Sequence, residues 1–120
     1  MAGMSNLVKV LTTAFVAAVV SGEASAEFLT GQKLYQEMQI ANKGINTLDA
    51  TYTTGHAYGY VSAIYDLNLD IAVCPPIGGT AGQMFKIVES YLGNHPETWN
   101  LQAAGEVTKA LTFTWPCPAK

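Results

Sequence analysis

LDATYTTGHAYGYVSAIYDLNLDIAVCPPIGGTAGQ, from Leu48 to Gln83, is the stretch whose reading decides the fold of this chain. It reads as one long helix, a rigid Cys-Pro-Pro exit and the capped start of a further helix. Proline is absent until Pro75, and small residues recur at helical spacing: Ala50, Thr54, Gly55, Gly59, Ser62 and Ala63. Larger apolar side chains, Tyr58, Val61, Ile64 and Tyr65, follow at steps of three and four. Glycine inside a helix costs about 1 kcal/mol against alanine. Gly55 and Gly59 therefore predict that another backbone passes close to this helix. The helix is expected to be the central one, to stop near Asp70, and to present Cys74 where the last element is stapled back.

On the N-terminal side of this stretch, Thr30 is a fitting N-cap for a first helix over Gly31 to Asn42. Leu34, Tyr35, Met38 and Ala41 share a face, with Gln32, Lys33, Gln36, Glu37 and Gln39 largely off it. Lys43-Gly44 ends that helix, and Asn46 or Thr47 caps the long one. On the C-terminal side, Thr80 and Gln83 match a capping box, in which each side chain satisfies a free backbone N–H. A third helix follows from Ala81 to Leu92, with Met84, Phe85, Val88, Tyr91 and Leu92 as its apolar stripe and Lys86 and Glu89 wet. Asn94-His95-Pro96 turns the chain, and Asn100 is expected to cap a fourth helix from Leu101 to about Phe113. No run alternates as a half-buried strand does. The fold class is all-α: a small four-helix, bundle-like domain over residues 27–120.

The first 26 residues read as a signal peptide rather than fold. Val10 to Val20 is an apolar run shorter than the roughly 20 residues of a spanning helix, and Ala24-Ser25-Ala26 has the small-x-small cleavage pattern. Cleavage after Ala26 leaves an exported, periplasmic chain with no membrane role of its own. A chain of this size buries a modest core, so a covalent constraint helps it. Six cations against nine carboxylates, none of the cations arginine, offer no basic face for nucleic acid. Two cysteines in an exported chain are most simply a disulfide, with two buried thiols as the alternative. Cys74 and Cys117 both have proline neighbours, and closing so long a loop stabilises by about 4 kcal/mol in the chain-entropy model.

The pattern resembles the Rap/Tai-type immunity proteins. Gly59-Tyr60-Val61, Asp66, Cys74-Pro75-Pro76, Thr80-Ala81-Gly82-Gln83 and Val88-Glu89-Ser90-Tyr91-Leu92 carry the likeness. His95-Pro96, Ala103-Ala104, Val107, Ala110-Leu111 and Trp115-Pro116-Cys117 complete it, from about Thr54 to Cys117. The resemblance implies a compact helical homodimer that plugs the active-site groove of a peptidoglycan amidase delivered by type VI secretion. Many relatives carry a further cysteine in the first helix, where this chain has Leu34, Tyr35 and Met38.

Catalysis would need a nucleophile, a metal or a paired acid and base. A bridged cysteine attacks nothing. Two distant histidines and two bridged thiols are a poor start for zinc, so neither metal nor cofactor is expected. His56 reads as a partly buried, hydrogen-bonded residue, with pH sensing as its alternative. Asp66 and Asp70 fall four apart on one helical face and read as solvated carboxylates. Tyr52, Tyr58, Tyr60 and Tyr65 read as core or boundary residues, some of them open to an interface. A rigid binder loses little entropy on association, so stiff turns are the best contact candidates. The first is Asn94 to Asn100, which offers Asn94, His95, Glu97 and Trp99; Trp99 folded back over the core is the plainer reading. The second is Pro75 to Thr80, with Pro76 and Ile77 beside the disulfide. A small periplasmic chaperone of the acid-stress type is the competing function, and a secreted enzyme the third.

Overall fold

Four α-helices and one short 3-10 turn make up residues 28–120, the part of the chain described by a computed structural model. The expected signal peptide lies outside these residues. Helix α1 spans Gly31–Asn42, and the Thr30 hydroxyl caps it by accepting from the Lys33 N–H at 3.2 Å. Helix α2 spans Leu48–Asn68, capped in the same way by Thr47. Helix α3 spans Ala81–Asn94, and its capping box is complete: Gln83 N–H donates to Thr80 Oγ1 and Thr80 N–H to Gln83 Oε1. The 3-10 turn η1 covers Pro96–Thr98, and α4 spans Ala103–Thr114. Among the described residues there are isolated bridges but no strand, so the all-α reading holds.

Three helix boundaries differ from expectation: α3 runs past Leu92 to Asn94, and the other two differ for local reasons. The long helix ends at Asn68 rather than near Asp70. The Asn68 carbonyl accepts from the N–H groups of Ile71, Ala72 and Val73, and Asp70 turns into the left-handed region at φ 61°. Aspartate is one of the few residues that visit this region with any frequency. Asp70 therefore leaves the helix, and the expected shared face with Asp66 is not built. The last helix starts at Ala103 because Leu101 is still occupied by turn bonds. Its N–H donates to Thr98 and its carbonyl accepts from Gly31.

The core lies where α1, α3 and α4 meet one face of α2. Leu34, Met38, Val61, Phe85, Leu92 and Leu111 are among its most deeply buried residues. Helix α2 is the longest element, yet only Ala50, Ala57, Val61 and Ile64 are buried along it. It is an outer wall rather than a central axis. The expectation for Gly55 and Gly59 fails with it: a Cβ at either position would meet nothing within 4 Å. Close approach between separate helices occurs instead at Gly31 and Gly93. A Cβ at Gly31 would sit 3.3 Å from Leu92 and 3.6 Å from the Trp99 backbone, and one at Gly93 would sit 3.2 Å from the Tyr35 hydroxyl.

Glu37, expected on the wet side of α1, is buried. Its carboxylate lies 2.7 Å from His56 Nδ1 on α2, a pairing that residue spacing within either helix does not encode. His56 is hydrogen-bonded and partly buried, with its side chain 41% exposed, as expected. No buried side-chain N or O atom among the described residues lacks a partner.

The disulfide joins Cys74 to Cys117 with Cα atoms 4.8 Å apart. Beside it, Cys74 N–H donates to the Trp115 carbonyl at 2.8 Å, and Val73 bridges Pro116. The chain end is thus tied to the entrance of α3.

Candidate partner-binding surface

The six contact candidates from the sequence lie in the two turns at opposite ends of α3. Over the helix's 14 residues these ends are about 21 Å apart at 1.5 Å per residue. One groove connects them. It holds about 580 Å³ and runs from Pro76 along the exposed side of α3 to Asn94 and His95. Its floor and opposite wall are Ile87, Tyr91, Phe113 and Trp115. The spacing of residues 83, 86, 87, 90, 91 and 94 explains the α3 side, since steps of three and four share one helical face.

The first turn is displayed. Gly79 N–H closes it onto the Pro76 carbonyl at 3.0 Å, Gly78 supplies the left-handed residue at φ 84°, and Ile77 is fully exposed. An isoleucine held out by a proline-stiffened, disulfide-tied turn has no folding role that burial could supply. Phe113, on the groove's far wall, is 85% exposed.

The second turn is held from within. Trp99 donates its indole N–H to the Leu92 carbonyl at 2.7 Å and stacks on Tyr35 with ring centroids 5.4 Å apart. Thr98 Oγ1 donates to Glu106 Oε2 at 2.8 Å, and Glu106 is 1% exposed. The Trp99 carbonyl accepts from Gln32 N–H at the start of α1. Trp99 thus follows the plainer reading, a side chain folded over the core. Glu97 remains exposed on this turn.

His95 faces the groove. Its Nδ1 lies 2.7 Å from the Tyr91 carbonyl, which can only accept, so Nδ1 carries a proton. Its ring stacks on Tyr91 at 4.1 Å. What the sequence did not single out is the groove between the turns. Tyr91 belongs to the apolar stripe of one helix and Phe113 to the end of the next, and only the packing of the two helices brings them together.

The chemistry-bearing residues stay apart. His56 pairs with Glu37, His95 with the Tyr91 backbone, and both cysteines are bridged. Among the described residues no three His, Cys, Asp or Glu side chains gather as a metal site, and no helix is long and apolar enough to cross a membrane. The arrangement suits recognition: apolar floor, polar rim and rigid ends.

No curated protein matches the chain. The family model of the Rap1a immunity proteins matches residues 30–117, from the cap of α1 to the second cysteine of the disulfide. That span covers well over half of the chain, which therefore belongs to the Rap1a immunity protein family.

Proposed function

We propose that this immunity protein works in the periplasm, where it binds and blocks a peptidoglycan amidase effector delivered by type VI secretion. Family membership carries the reading, and the resemblance implies that a cognate effector is blocked by occupation rather than by chemistry. The scattered histidines and the bridged cysteines agree with a non-catalytic role. The contact residues proposed are Pro76 and Ile77 at one end of the groove and Asn94, His95 and Glu97 at the other. Trp99 serves by fixing the turn that carries them. A homodimer is proposed through the open side of α2, where Leu48 and Tyr52 are exposed next to the uncovered Gly55 and Gly59. Close-packed helices favour small residues at such a contact.

The reading is tested by directing a panel of peptidoglycan amidase effectors to the periplasm of a test strain. Co-expression of this chain is expected to prevent lysis by at least one of them. Equal lysis with and without the chain for every amidase would refute it.

A further inference from the structure

We propose that the groove along α3 is built for an acidic polypeptide segment carrying one large apolar side chain. This deepens the binding reading above and rests on it for the identity of the partner. In each ion pair near the groove, one member meets solvent far more than the other. Lys86 on the groove rim lies 3.4 Å from Glu89, and their side chains are 66% and 17% exposed. Lys109 lies 3.2 Å from Glu106, with exposures of 56% and 1%. In both pairs the ammonium is on the outside and the carboxylate beneath it. Glu106 is further engaged by Thr98.

The lysines flank one aromatic strip. Tyr91 and Phe113 line both the main groove and the hollow that holds Lys109, so the two hollows adjoin. No carboxylate lines either of them, although the chain as a whole carries a net charge of −3. Glu97 sits in the turn beyond His95, outside the lining. Lysine has three donors, and the contacts of Lys86 to Glu89 and Asn42 are both long, at 3.4 Å. It can therefore take a further carboxylate without giving up its present partner. Phe113, 85% exposed, supplies apolar area that folding leaves uncovered. A positive rim around an exposed aromatic floor selects for negative charge around an apolar anchor, and like charge on the partner would be rejected.

The test selects a displayed random-peptide library on the full, disulfide-bonded chain. Enriched peptides are expected to combine Asp or Glu with a Phe, Trp, Leu or Ile, and to bind less well as salt rises. Phe113→Ala alters an exposed side chain and should melt as the wild type does, and Lys86→Glu, which sets a second carboxylate beside Glu89, should stay folded and melt slightly lower. Each is expected to weaken the selected peptides by about tenfold or more. Enrichment of basic or uncharged peptides, equal binding to Lys86→Glu, or no enrichment at all would overturn the proposal. The outcome separates from that of the amidase panel. A chain that selects acidic peptides but rescues from no amidase keeps this inference and loses the amidase reading. Rescue without acidic selection does the reverse.

Discussion

At one end of α3, the Pro75–Thr80 turn holds Ile77 out in solvent; at the other, the Asn94–Asn100 turn draws Thr98 and Trp99 into the bundle. Both contain proline next to small or polar residues, and both pass for rigid contact loops in sequence. Their stiffness has different origins. The first is fastened by a covalent bond placed outside its own side chains, so those side chains remain free. The second is fastened by its side chains, through Glu106, the Leu92 carbonyl and the Tyr35 ring, and has fewer left to offer. Rigidity alone does not identify a contact turn. What holds it rigid does.

The largest expected effect tests the covalent side of this contrast. Cys117→Ser should lower stability by about 4 kcal/mol, read by thermal or denaturant unfolding. Unchanged melting would mean that the Cys74 backbone bond to Trp115 suffices to hold the turn. Trp99→Ala should cost about 3 kcal/mol, near the lower end for an aromatic deletion because the ring is only half-buried. A Trp99→Ala variant as stable as wild type would erase the distinction between the turns. Ile77→Ala is the complementary change. Stability should stay within about 0.5 kcal/mol of wild type, while affinity for a rescued amidase should drop by about 2 kcal/mol in calorimetry if Ile77 is an anchor.

Two neighbouring residues on α2 carry the same contrast of displayed against held to a helix. Gly59 faces open space within a single chain, so at concentrations where the chain is monomeric Gly59→Ala should stabilise it by roughly 1 kcal/mol through helix propensity alone. Destabilisation only where the chain self-associates would indicate that the proposed homodimer covers this face. Tyr60 packs inward, and burial pushes its phenol above the ordinary 10.0, partly opposed by a backbone hydrogen bond at Ala104. The buried form is the neutral, protonated one. Its stabilisation is full below pH 10.0 and is lost as pH climbs through the raised value. Tyr60→Phe should therefore flatten the alkaline limb of a stability–pH curve, the smallest of these effects.

Most of the fold was legible because its signals are local. Thr30, Thr47 and the Thr80–Gln83 box start helices through hydrogen bonds spanning three residues, and the apolar stripe of α3 repeats within one element. The cysteines were legible because only one pairing exists. What escaped was non-local. The gap opposite Gly55 and Gly59, the burial of Glu37 against His56, and the close approach at Gly31 depend on how separate helices pack. The ends of the candidate site were readable as stiff turns. The groove joining them was not, since Tyr91 and Phe113 meet only after α3 and α4 pack side by side.

The protection proposed for this chain is stoichiometric occupation of an amidase. The most direct measurement adds the purified, disulfide-bonded chain in steps to an amidase it rescues, with release from purified peptidoglycan as the readout. Activity should fall in proportion to added chain until the two are stoichiometric, and dissociation of the complex should return an unmodified, active amidase. Full activity in the presence of excess chain, or an amidase left permanently altered after the chain is removed, would contradict it.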